Sequence, residues 1–149
     1  DAPSSITRLM DLGIPPYLIS STVLGIMAQR LVRTLCPHCK EEAPADEKAW
    51  QALTQPWKSP TPKTFAQPVG CLECRDTGYL GRQGIYEILP FSDTIQDAIN
   101  SEAGLVELRN QAMREGMRTL RISGAQKVAA GSTTIEEVLR VAPPPERTS

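Results

Sequence analysis

The residues with the most chemistry to offer are four cysteines, and they fall into two identical pairs, Cys36-Pro-His-Cys39 and Cys71-Leu-Glu-Cys74. A C-x-x-C turn puts two sulfurs on the same side of one tight knuckle and leaves backbone N–H groups free to hydrogen-bond them. Two such knuckles complete the tetrahedral shell of a zinc ion with no position left for water, which makes the expected site structural rather than catalytic. Residues 40–70 separate the pairs, a longer stretch than the roughly 15–20 residues of the usual pattern. The departure is small in energy, because loop closure grows only logarithmically with length. The expected ligands are therefore Cys36, Cys39, Cys71 and Cys74.

Other chemistries fit these residues less well. Four unconnected buried thiols would have no reason to share one spacing. A dithiol oxidoreductase of the thioredoxin type uses a CPHC-like turn, but needs a strand just before it and a long helix just after. Here KEEAPAD follows, and Pro44 interrupts it. His38, the single histidine, sits inside the first knuckle and is expected to point away as a solvated bystander. Gly78, Gly81 and Gly84 invite a phosphate-loop reading, yet no Lys-Ser or Lys-Thr follows them and no helix is expected there. They read as turn glycines.

The elements that must position the cysteines are short. Ser4 or Ser5 can cap a helix over ITRLMDL, ended by Gly13, and Pro15 and Pro16 suit the first turn of a second, YLISSTVL, with Gly25 as its stop. IMAQRLVRTL fits a helical stripe or a strand alternation equally well. DEKAWQAL allows two helical turns, and QPWKSPTPKTFAQPVG is extended and punctuated by proline. RQGIYEIL is the clearest strand. Helices are then expected over DTIQDAIN, capped by Ser92 or Asp93, and over about 105–115. A third carries Met117, Leu120, Gly124 and Val128 on one stripe, with Gly124 permitting close helix contact. The last, IEEVLRV, would open with a capping box of Thr133 and Glu136.

Composition narrows the function classes. The chain has 149 residues, a formal net charge of −1, 5% aromatics and thirteen prolines, which points to several short elements rather than one large core. A balance this neutral argues against a nucleic-acid surface. No stretch approaches the roughly 18 apolar residues of a membrane span. The opening DAPSSITRLMD lacks the basic and apolar regions of a secretory signal, so a reducing cytosol is expected, where metal binding is commoner than disulfides. The nucleotide loop G-x-x-x-x-G-K-[ST], H-E-x-x-H and G-x-S-x-G are all missing from the sequence. Nothing in it looks catalytic.

Three blocks in order, TRLMDLGIPPYLISSTVLGIMAQRLVRTLCPHCK, GCLECRDTGYLGRQGIYEIL and GSTTIEEVLRV, resemble the C-terminal portion of the type II secretion ATPases (general secretion pathway protein E, GspE) and of their type IV pilus-assembly relatives (PilB). The resemblance covers residues 1–142. It implies an α+β fold: the C-terminal piece of a RecA-like P-loop ATPase domain, with an antiparallel strand pair, an inserted tetracysteine zinc-binding module and a C-terminal helical bundle. The implied divisions are the end of the ATPase core at 1–33, the zinc module at 34–82, the returning strand and helical subdomain at 83–142, and a disordered tail at 143–149.

The same resemblance makes IMAQRLVR a strand pairing antiparallel with RQGIYEIL. It implies that the parent protein is a hexameric, cytoplasmic ATPase, peripheral at the inner membrane, that uses ATP and magnesium at a site preceding Asp1. Its partners would be neighbouring subunits and the inner-membrane secretion platform, with no nucleic acid and no membrane insertion. Gln29 and Arg30 match a position near the ATPase core without an assigned nucleotide contact, and Arg82 is expected to be structural. TTIEEVLRV leans toward the secretion branch. A free-standing zinc-ribbon binding module is the alternative from another class, since CLECRDTGYLG faintly echoes the C-x-x-C-x-G-x-G units of DnaJ-type chaperones.

Overall fold

The computed structural model describes residues 1–143; the tail expected at 143–149 lies, beyond Pro143, outside the described residues. The elements run α1 (Ala2–Asp11), α2 (Pro16–Thr22), β1 (Gly25–Leu35), β2 (Glu41–Pro44), α3 (Glu47–Thr54), β3 (Thr64–Gln67), a single 3-10 turn (Leu72–Cys74), β4 (Tyr79–Pro90), α4 (Asp93–Asn100), α5 (Leu105–Arg114), α6 (Leu120–Ala129) and α7 (Ile135–Val141). The chain divides into two compact units, residues 1–29 with 86–119 and residues 30–85 with 120 onward.

The run that could be helix or strand is a strand. β1 pairs with β4, and the bonds at the ladder's two ends, Phe91 N–H to Leu24 C=O at 3.0 Å and Cys36 N–H to Gly78 C=O at 2.9 Å, fix it as antiparallel. Gly25 does not stop α2, which ends at Thr22, but opens β1. The reason is a close backbone approach: a Cβ there would lie 2.9 Å from the Leu89 carbonyl oxygen.

The first unit is aliphatic. α1 starts earlier than its serines suggest, because Asp1 is the cap, accepting from Ser4 N–H at 2.9 Å while the Ser4 hydroxyl returns to the Asp1 backbone. Of the two cap candidates, Ser92 and Asp93, it is Ser92 that caps α4, accepting from Ile95 N–H at 3.2 Å. Ile6, Ile19, Leu89, Ile95, Ile99 and Leu108 form the fully buried core. Met117, expected on the α6 stripe, precedes that helix and packs into this core instead.

The second unit is the larger and buries more polar side chains. β2 and β3 pair antiparallel, Glu41 opposite Gln67 and Pro44 opposite Thr64, a hairpin-like pairing in a stretch with no clear alternation. Trp50 of α3 packs on Phe65 of β3, ring centroids 5.6 Å apart, and its indole N–H donates to the Ser59 carbonyl. α6 and α7 belong to this unit and touch through Gly124: a Cβ there would lie 2.7 Å from Val138 Cγ2 and closer still to Cγ1. Close helix contact was the sequence expectation for this glycine. α7 is capped by Thr134, which accepts from Glu137 N–H, one residue later than the Thr133 and Glu136 pair expected. The motif T-x-x-E fits both frames; Thr133 is drawn off because its hydroxyl donates to the Arg33 carbonyl at 2.8 Å.

Candidate metal centre

β1 and β4 form the root of the cysteine loop. β1 ends at Leu35 and delivers Cys36, whose N–H bonds to Gly78 just before β4 begins. The first knuckle closes with Cys39 N–H and Lys40 N–H both donating to the Cys36 carbonyl, at 3.4 and 3.0 Å. The second closes on its 3-10 turn, with Asp76 N–H donating to the Cys71 carbonyl at 2.8 Å. Gly78 is needed here: its φ is +77°, and a Cβ would collide with Pro68. Gly81 and Gly84, read as turn glycines, lie within β4.

The knuckles face one another. All four sulfurs lie within 4.8 Å of each other, with Cys36 to Cys71 and Cys39 to Cys74 at 3.8 Å and Cys71 to Cys74 at 3.7 Å. All four are free thiols rather than disulfides. A tetrahedral ion with metal–sulfur bonds of about 2.3 Å requires sulfurs about 3.8 Å apart, so the donor set fits a zinc-sized ion in both chemistry and spacing. Backbone N–H groups are aimed at the sulfurs: Gly70 at Cys39 (3.3 Å), and Cys71 and Gly78 at Cys74 (both 3.2 Å). Bonds of this kind stabilise thiolate, the form that ligates metal.

The electrostatics follow from those bonds. Burial pushes the Cys39 thiol up to about 11, with one opposing N–H from Gly70. Burial also raises Cys74, but the N–H groups of Cys71 and Gly78 and the adjacent thiols outweigh it and bring this thiol down to about 6. His38 is exposed and stands outside the cluster. Among the described residues no other group of histidines, cysteines and carboxylates is placed to hold a metal. Gln29 and Arg30 lie on β1 and Arg82 on β4, all exposed.

Sequence reasoning missed a polar network beside the site. The buried carboxylate of Glu137 on α7 accepts from the Arg33 backbone N–H at 3.0 Å and from its Nε and Nη2 at 3.0 and 2.6 Å. Arg140 Nη2 adds a bond at 2.9 Å. Burial works against the charged form of Glu137, yet these donors overcome it and hold the carboxyl at about 2. The Arg33 guanidinium also lies 4.1 Å from the Tyr79 ring centroid, a cation–π contact. The available signal was the second T-x-x-E frame, Thr134 to Glu137, which put a glutamate among the apolar residues of IEEVLRV.

Among the described residues no helix is long and apolar enough to cross a membrane. The family model described as Type II/IV secretion system protein matches residues 1–140. The chain is 50% identical over 143 residues to the type IV pilus assembly ATPase TfpB of Acinetobacter baylyi, covering 96% of this chain and 24% of that protein. It is 46% identical over 137 residues to type II secretion system protein E of Pseudomonas aeruginosa (92% of this chain, 27% of that protein). With type II secretion system ATPase E of Vibrio cholerae the identity is 44% over 144 residues, 94% of this chain and 27% of that one. The chain thus spans about a quarter of the length of these relatives. A match over nearly every described residue, at identities this high, establishes that the chain belongs to the type II/IV secretion system protein family.

Proposed function

We propose that this chain is the C-terminal, non-catalytic part of a hexameric secretion ATPase, and that Cys36, Cys39, Cys71 and Cys74 hold one structural zinc ion in it. The observation that carries the reading is the convergence of four sulfurs within 4.8 Å from two knuckles separated by residues 40–70. A closed tetrathiolate shell leaves no open position for water or substrate. The ion's contribution is therefore to tie together the two ends of a proline-rich loop, whose middle packs through Trp50 and Leu53. Residues 34–82 are the zinc module in this reading, and 1–33 complete an ATPase core that supplies ATP and magnesium binding outside the present chain. Work done in that core would pass through the module to neighbouring subunits and to the inner-membrane platform.

Two branches of the family compete for the parent protein. The TTIEEVLRV segment favours type II secretion, and the 50% identity to a type IV pilus assembly ATPase favours the pilus branch. Elemental analysis of the purified chain tests the shared reading, with about one zinc per chain expected, lost in Cys74→Ser, and no ATP turnover. A chain that carries no zinc but reduces insulin would replace it with the dithiol chemistry weighed above.

A further inference from the structure

Residues 131–137, the link from α6 into the first turn of α7, are bonded to the flanks of both cysteine pairs. Before the first pair, the Leu35 N–H donates to the Ser132 carbonyl at 2.8 Å, the Arg33 carbonyl accepts from Thr133, and the Arg33 N–H donates to Glu137. Just after it, Lys40 Nζ donates to the Gly131 carbonyl at 2.8 Å. Beyond the second pair, the Tyr79 hydroxyl bonds to Thr134 Oγ1 at 3.0 Å, and Tyr79 adjoins the glycine that bonds both Cys36 and Cys74. The link is therefore tied to the end of β1 by one backbone bond and two side-chain bonds. Glu137 is its anchor, since it grips Arg33 by backbone and side chain together and is itself 3% exposed.

We infer that Glu137 is a positioning residue of the cysteine centre: by fixing Arg33 it sets where β1 delivers Cys36, and so how firmly the four sulfurs retain a metal ion. Arg33 lies three residues before Cys36, about 10 Å along an extended strand. Metal–ligand distances tolerate only about 0.2 Å of error, so a small shift at the strand end is felt at the ion. Outer contacts that orient metal ligands commonly change affinity by about 10–100-fold. Because Glu137 acts one step further out, the low end applies. The coupling is reciprocal, so loading the centre also orders α7.

The inference rests on the zinc reading, and the test separates the two. The zinc-loaded chain and Glu137→Gln, which keeps the shape and removes the charge, are mixed with a chromogenic chelator and the release rate is followed. Release from Glu137→Gln is expected to be about tenfold faster. Leu53→Ala, a truncation of a fully buried side chain in the same unit, controls for general loosening, and should release more slowly than Glu137→Gln at equal loss of melting temperature. With cobalt in place of zinc, the thiolate-to-metal bands should shift in Glu137→Gln and not in Leu53→Ala. Arg33→Lys, which keeps the backbone bond but loses the guanidinium fork, should fall between wild type and Glu137→Gln, and carries the test alone if Glu137→Gln does not fold. Release no faster than wild type, or matching Leu53→Ala with unshifted bands, overturns the role of Glu137. A wild-type chain that binds neither ion overturns the zinc reading and this inference with it.

Discussion

The unit of residues 1–29 and 86–119 buries Ile6, Ile19, Leu89, Ile95, Ile99 and Leu108 against one another. Its buried polar residues, among those described, are Ser20 and Glu87, and the Glu87 carboxylate accepts from Ala2 N–H at the start of α1. In the unit of residues 30–85 and 120 onward, Thr54, Thr133, Thr134 and Glu137 are buried, as are two of the four cysteines. The first unit is held by apolar area removed from water, a force that needs no special geometry. The second has an apolar core of its own, with Val32, Leu35, Leu53, Ile85, Val128 and Val138 buried, and adds to it directional bonds around sulfur and carboxylate, which contribute only when every partner is in place. A chain of two small cores can thus carry one part that answers to packing alone and another that answers to packing and, in addition, to a single ion or charge.

Removing the metal should divide the two most sharply. Structural zinc contributes on the order of 10 kcal/mol in small metal-binding peptides. Strong chelation of the zinc-loaded chain, or Cys74→Ser, is expected to abolish amide-exchange protection in β2, β3 and α7 while α1, α4 and α5 stay protected. Simultaneous loss in both units would break the comparison. Ile99→Ala probes the other side. Ile99 is fully buried in the first core, and its truncation should cost about 2–5 kcal/mol through lost transfer energy and a cavity. Thermal unfolding should register that loss while the rate of zinc release stays at the wild-type value; faster release would show that the units are not separable in this way. The smallest effect is expected at Gly124. Alanine gains about 1 kcal/mol of helix propensity there, but overpacking against the buried, stiff Val138 costs about 1–3 kcal/mol. A net loss of about 1 kcal/mol should appear in denaturant titration, and a stabilised protein would mean that α6 and α7 separate more easily than their contact implies.

Much of the candidate centre was legible from the sequence because ligand chemistry is local. Two C-x-x-C spacings name four sulfurs, and Gly78 beside them marks a turn that a Cβ would block. Polar partners at long range were not legible. Glu137 and Arg33 are over a hundred residues apart, and nothing in either segment points to the other. Thr133 and Thr134 show the same limit, since the cap went to the second only because the first was claimed by the Arg33 carbonyl.

Residue identity and spacing alone determined the metal-binding potential of the two knuckles, the strand character of RQGIYEIL and a cap for α4 at Ser92 or Asp93, because each depends on interactions within a few positions. Tertiary structure alone decided that the two knuckles meet, that β2 finds β3, that Met117 joins the first core, and that an α7 carboxylate braces the strand leading to Cys36. These depend on which distant surfaces come together when apolar area is buried, and no short stretch of chain encodes that.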